Sequence, residues 1–512
     1  MFFTDSILYD FIAIVIALLA GLIAYYKWTF AYWKQNGFEG PEPSIPFGNV
    51  GDLILGKRHL GEMWKDVYFY AEEKGLRYSI VFFFWRPSII IVDLELIKSI
   101  VQTDFAHFWG HGSFMNEKDD PLSANVFHLE GPRWKSVRVK LTPTFTSGKM
   151  KMMFQTLVDC AKPLKDILDG YCNENKEIEL KEYLARFTTD AIGSCAFGLD
   201  CNSLKNPDSE FRKYGLRAVK IDLKHTLKRM LQIVFPPSVL RFIKHCPTDP
   251  QVAKFFNKIV RDTVDYREKN NVRRKDFMDL LIQIKNKRSV GDDDSDASKE
   301  TLTMDEITAQ SLIFFVAGFE TSSTTMHCAA YELAMNPDIQ DRLREEIIEV
   351  LEKYNNVLTY DAVAEMKYLD RTVSETLRKY PALPLIFRKC SKDYIIPGTD
   401  KVITKGSSVM VPVLGVHYDP DYYPDLDKFD PDRFTEENKA KRPGFTWLPF
   451  GEGPRICIGM RFGLMQTKIG LITLLSNFRV SMNKETKTPL KLSKHGVLIS
   501  FEGKVLFDLQ KI

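Results

Sequence analysis

Ten residues near the C-terminal end, Phe450-Gly451-Glu452-Gly453-Pro454-Arg455-Ile456-Cys457-Ile458-Gly459, set one cysteine between glycines and two positions after an arginine. That setting suits a haem-thiolate ligand. Gly453 and Gly459 permit positive φ and a close approach of backbone to a flat macrocycle, and nearby N–H groups can hold the Cys457 sulfur as an anion. Arg455 can pair with a haem propionate. The plainer alternative is a buried structural cysteine. Two further pairs carry chemistry. Glu320 and Thr321 place an acid beside an alcohol directly after Ala317-Gly318-Phe319, and the alternative for Thr321 is a bond back to a helix carbonyl. Glu375 and Arg378, three apart, share one helical face, where an ordinary solvated ion pair is worth under about 1 kcal/mol.

These groups need elements to carry them. Thr303 followed by Glu306 reads as a capping box that opens a long apolar helix, running to about Met335 before Asn336-Pro337 stops it. A helix apolar nearly all round belongs at the centre of the molecule. Because glycine inside a helix costs about 1 kcal/mol against alanine, Gly318 suggests that something lies flat on that face. The runs Tyr78–Phe84 and Ser88–Val92, separated by Trp85-Arg86-Pro87, read as a hairpin of buried strands. From about Lys149 to Lys285 the apolar spacing is helical, and Val290–Lys299 reads as a solvated acidic loop. Phe11–Tyr26 is uncharged and, with Ile7–Tyr9, reaches the roughly 20 residues of a spanning helix. Asp5 and Asp10 precede it and Lys27 and Lys34 follow, which puts the body in the cytosol. A cleaved signal is the rival, but no basic n-region is present. Residues 1–30 are thus an expected membrane anchor, 31–48 a Pro/Gly-containing hinge and 49–512 the catalytic globule.

Composition narrows the classes. The chain has 512 residues, 45% of them hydrophobic and 27% charged, so it can bury a large core. A net charge of +3 gives no reason to expect nucleic acid as a partner. The eight cysteines form no CxxC pair and no zinc spacing, as expected of a protein facing a reducing compartment.

The cysteine segment resembles the haem-binding loop of cytochromes P-450, and other motifs follow in that family's order. Ala317-Gly318-Phe319-Glu320-Thr321 resembles its central-helix motif, where Ala317 and Gly318 would leave room for dioxygen and Glu320 with Thr321 would handle protons. Glu375, Arg378 and the Arg433 of Pro431-Asp432-Arg433-Phe434 match a structural network, although the family usually has Glu at position 432. Trp134 and Arg138, and separately Arg388, match propionate partners. His111 stands where many relatives have an arginine near the haem. Ala317–Thr325 and His417–Pro424 look like the insect microsomal branch associated with xenobiotic metabolism.

The resemblance implies a mainly α globule with small β-sheets, haem b (iron protoporphyrin IX) on Cys457, and insertion of one atom of O2 into a lipophilic molecule. Thiolate donation would favour O–O cleavage. Pattern matching places Phe127, His128, Ile313, Val316, Leu383, Ile386 and Val497 at the substrate, each with plain core packing as its alternative. No GxGxxG fingerprint follows a strand, so electrons would come from NADPH through a separate reductase, with cytochrome b5 as an optional second donor. Lys135, Lys140, Lys149, Lys151, Lys439, Lys441, Arg442 and Arg461 are candidates for the docking surface, or are simply solvated charges. The implied location is the endoplasmic reticulum membrane. Two other classes remain open: a haem-thiolate isomerase or dehydratase, which commonly lacks the acid-alcohol pair, and a non-catalytic haem sensor.

Overall fold

A 32-residue helix, Met304–Met335, runs through the middle of the molecule. Both halves of its capping box are made: Glu306 N–H donates to Thr303 Oγ1 at 3.2 Å, and Thr303 N–H to Glu306 Oε2 at 2.9 Å. At the other end Asn336 donates its N–H to Glu332 O at 3.0 Å before Pro337 starts the next helix. Helices Leu180–Ile192 and Met460–Leu475 lie against this central helix, and Ser147–Asn173 packs on both of them. Phe315, Phe319, Met326 and Leu333 of the central helix are fully buried, each stabilising the fold by up to about 3 kcal/mol. This is a computed structural model, and it describes residues 7–219, 223–286 and 301–512. Asp5 and the expected acidic loop Val290–Lys299 fall outside the described residues.

The chain is mainly helical, with small sheets. Four strands, β1 (Tyr78–Phe83), β2 (Arg86–Ile91), β3 (Ile386–Lys389) and β6 (Ser408–Val411), form one sheet in the order β1-β2-β6-β3. Two further pairs, β4 (Tyr394–Ile395) with β5 (Val402–Ile403) and β7 (Phe478–Met482) with β8 (Phe507–Lys511), are antiparallel ribbons. The hairpin differs from expectation. β2 begins at Arg86, so the connection is two residues, and Phe82 faces Pro87. Phe82 gives its carbonyl to Asn49 N–H and its N–H to Asn49 Oδ1, so the Phe82–Pro87 pair lacks ladder bonds. Proline's missing N–H therefore costs nothing toward β1, and pairing with β6 starts only at Ser88.

The N-terminal helix spans Ile7–Gln35, past residue 30, and Tyr9–Gln35 is the one described helix long and apolar enough to cross a membrane.

Candidate active site

A cavity lies between the central helix, the cysteine loop, β3 and the helix Gly131–Leu141. Its cysteine wall is built by short-range bonds: Cys457 N–H donates to Phe450 O at 2.9 Å and Ile456 N–H to Gly453 O at 3.0 Å. The Cys457 side chain is exposed and lines the cavity. Burial pushes its thiol up, against the nearby Gly459 N–H and the Arg138 charge, which favour the anion. A bound metal ion would reverse that balance, since a coordinating thiol is deprotonated.

The glycines act differently from expectation. Gly453 takes φ +72°, yet its close neighbour is the carbonyl of Val101, 1.9 Å from where a Cβ would sit. It seats the loop on the Ser99–Thr103 turn and does not line the cavity. Gly459 has φ −88°, lines the cavity, and a Cβ there would meet nothing within 4 Å. Gly318 also lines the cavity, but its missing Cβ admits Ile192 Cδ1, at 2.8 Å, from the neighbouring helix.

At one end three arginines converge. Arg388 sits two residues after Ile386 on β3, on the same face. Burial presses its pKa down to about 10. Arg455 falls to about 9, through burial first and then the charges of Arg388 and Arg138. Arg138 is lowered by burial too. No Asp or Glu is among the residues that line the cavity. Arg455 donates to the carbonyls of Trp109, Val126, Phe127 and Leu129, and its guanidinium lies 4.3 Å over the Trp134 ring. Arg138 donates to Ile456 O at 2.8 Å, inside the cysteine loop. Arg388 bonds only the Phe387 carbonyl of its own strand, leaving Nε buried without a partner, and Trp134 Nε1 is likewise unpartnered. His111 lines the same end. Its Nδ1 lies 2.8 Å from Phe127 O, and burial together with Arg388 and Arg455 holds its pKa far below 6.5. A neutral imidazole thus stands beside the three arginines.

On the opposite wall Ala317 and Thr321 face the cavity, and Thr321 Oγ1 donates to Ala317 O at 2.7 Å. Glu320 does not line it. One residue along a helix turns a side chain by about 100°, which carries Glu320 to Lys181: its Oε1 is 2.8 Å from the ammonium, which also donates to Ser323 and Thr324. Of the expected substrate contacts, Phe127, Ile313, Leu383 and Ile386 line the cavity, whereas His128, Val316 and Val497 do not. His128 instead bonds Ser123 O and approaches Asn125, Val316 packs into the main core, and Val497 packs on a separate small cluster. Sequence reasoning missed an apolar wall of Phe145, Met153, Ile192, Cys195, Phe277 and Phe314. These are remote in sequence and have no signal beyond being apolar.

Behind the loop, Arg378 donates twice to Glu375, at 2.8 and 2.9 Å, with both side chains fully buried. Arg433 Nε is 3.4 Å from Glu375 Oε1, a charge contact too poorly aligned for a hydrogen bond, and Arg433 Nη2 donates to Asp425 O. Asp432 turns to Arg342 and Arg371 instead. His417 was also missed as a structural link. It is fully buried, bonds Arg378 O through Nδ1 at 3.0 Å and accepts Leu448 N–H at 2.8 Å, two residues before Phe450. Several of the expected docking cations are already engaged: Lys151 with Asp361, Lys439 with Glu436, Lys441 with Glu437, and Arg442 with Arg433 O.

Such a cavity suits a largely apolar group with anionic arms and a metal that accepts sulfur, and the residues present fit a haem. A family model described as cytochrome P450 matches residues 40–506. The chain is 43% identical over 509 residues to the probable cytochrome P450 6a23 of Drosophila melanogaster, covering 99% of each. It is 41% identical over 512 residues to cytochrome P450 6k1 of Blattella germanica, covering 98% of this chain and 97% of that one. With cytochrome P450 6A1 of Musca domestica it shares 39% over 509 residues, 98% of each. The chain belongs to the cytochrome P450 family and is a monooxygenase of that family, which implies a haem, O2, a small-molecule substrate and a redox partner.

Proposed function

We propose that this protein is a microsomal monooxygenase of the endoplasmic reticulum membrane. It inserts one oxygen atom of O2 into a lipophilic small molecule, either a xenobiotic such as a plant toxin or insecticide, or an endogenous lipid or hormone. Electrons come from NADPH through NADPH-cytochrome P-450 reductase, with cytochrome b5 as an optional donor. One observation carries the reading: the loop thiol of Cys457 shares an apolar cavity with the buried guanidinium groups of Arg388 and Arg455 and the half-buried one of Arg138, and no carboxylate lies on its walls.

Cys457 would hold a haem b through its sulfur, on a loop closed by the bonds to Phe450 O and Gly453 O. Arg388 Nε and Trp134 Nε1 supply unpartnered donors for the propionates, with Arg138 and Arg455 adding charge. When bound, the haem supplies the iron at which dioxygen is reduced and split, the thiolate pushing electron density toward that cleavage. Phe127, Ile313, Leu383 and Ile386 orient an apolar substrate and exclude water. Ala317 leaves space above them. Thr321 Oγ1 holds the proton delivered to the cavity, and Glu320, reached through water, refills it.

Substituting Cys457→Ser tests the reading directly: the red-shifted Soret band of the reduced carbon monoxide complex should vanish, and an unchanged band would refute the ligand assignment. Supplying NADPH and reductase to the wild-type protein with a panel of lipophilic compounds should give oxygenated products. Rearrangement of peroxides without reductase would favour an isomerase instead.

A further inference from the structure

The N-terminal helix is longer than a bilayer requires. Its 29 residues span about 44 Å, against a hydrocarbon core of about 30 Å. Roughly three turns are left over. Those turns are not bare: Tyr26, Thr29, Phe30 and Trp33 fall at helical spacing on one face, and that face meets the catalytic domain. Tyr26 is 1% exposed, donates its hydroxyl to Pro46 O at 2.7 Å and lies edge-on to Trp85 at the hairpin tip. Phe30 packs on Phe82 of β1, with ring centroids 4.6 Å apart. The outer face, with Tyr25, Trp28 and Tyr32, stays exposed.

The helix end is equally defined. Gly37 takes φ +77°, Gly37 N–H donates to Lys34 O, and Phe38 N–H reaches back to Trp33 O at 3.1 Å. This is a Schellman stop, and its accompanying apolar contact joins the rings of Phe38 and Trp33 at 5.1 Å. The following residues run along the open edge of β1. Ile80 N–H donates to Glu39 O, and Gly40 passes so close that a Cβ would lie 1.9 Å from Ile80 O. An edge strand covered in this way cannot pair elsewhere.

We propose that residues 26–35 are a docking element that joins the spanning helix to the β1–β2 hairpin as one rigid body, so that the bilayer meets the catalytic domain at a single fixed orientation. The segment after the anchor is a clamp on the sheet edge, not a free tether. Lys34, paired with Glu42 at 2.9 Å, sits inside this docked helix. This inference rests on the reading that the helix spans a membrane.

The test uses the full chain in phosphatidylcholine vesicles, followed by two readouts. Alkaline carbonate extraction reports spanning, and tryptic cutting after Lys34 reports docking. The wild-type chain should stay with the vesicles and resist cutting at Lys34. A Phe30→Ala/Trp33→Ala variant should be cut about tenfold faster with its haem spectrum unchanged, while Trp28→Ala/Tyr32→Ala on the outer face should match wild type. If the double variant does not load haem, Tyr26→Phe serves in its place, with cutting about threefold faster. Wild type and docking-face variants cut at Lys34 equally fast would overturn the docking claim with spanning intact. Release of the wild-type chain by carbonate would overturn the spanning reading, and the fixed orientation with it.

Discussion

Two clusters of buried arginine lie on either side of the cysteine loop, and they are built in opposite ways. Behind the loop, Arg378 has its donors met by Glu375, His417 O and Leu426 O, with the rings of Tyr418 and Tyr423 beside it. In front of the loop, Arg388 makes one bond to its own strand and faces a cavity without a carboxylate. The first arrangement is a closed scaffold. The second is a charge kept uncompensated until an anion arrives, at the cost of desolvating guanidinium groups beside one another. The same side chain thus serves as a rivet or as a receptor, depending on whether the protein supplies its counter-ion.

The largest effect that would break this contrast comes from Glu375→Gln. Removing the carboxylate strands Arg378, so unfolding free energy should drop by about 3–5 kcal/mol, measured by denaturant titration. A loss below about 1 kcal/mol would mean that the scaffold is not closed as described. At the other cluster the sign reverses. Arg388→Met should leave the haem-free protein as stable or up to about 3 kcal/mol more stable, while haem is lost to an acceptor protein at least about tenfold faster. Destabilisation of the haem-free protein would contradict the receptor role.

The histidines sharpen the scaffold side. His417 and His327 are buried, and burial holds each at about 3 rather than 6.5. Their folded pKa is depressed, so the unfolded chain takes up protons that the folded chain refuses. Stability is complete above pH 6.5 and falls as pH drops below it, by about 1.4 kcal/mol per pH unit for each group. His417→Gln should halve the part of that slope due to the two imidazoles in the range where carboxylates stay ionised; an unchanged slope would show that His417 is already charged in the folded protein. The smallest structural effect belongs to Thr321→Ala, which should keep haem and fold but divert electrons to hydrogen peroxide. Fully coupled turnover in that variant would remove Thr321 from proton delivery.

Legibility followed the range of the interaction. Thr303 and Glu306, or Glu375 and Arg378, are three residues apart, so helical geometry alone makes them meet. The same holds for the turn around Cys457, which closes through Phe450 seven residues earlier. His417 was not legible as a link, because Arg378 and Leu448 lie 39 and 31 positions away. Glu320 read naturally as the partner of Thr321, yet adjacent helical residues point to different faces, and only the packing of helix Leu180–Ile192 shows that Lys181 waits there. Gly318 was read as room for a ligand, and Ile192 shares that space. Residues 31–48 read as a hinge because three prolines stiffen an extended connector, and in the structure Glu39 and Gly40 run along the edge of β1.

From order and spacing alone came the thiol, its flanking glycines, the apolar central helix, the long apolar N-terminal helix and the paired ions, since each depends on residues that a single helix or turn brings together. Tertiary structure decided which charges are answered and which are left open, which side chains border the cavity, and how the N-terminal helix is seated. Those outcomes depend on desolvation and on partners supplied by distant segments, and neither exists until the elements have packed.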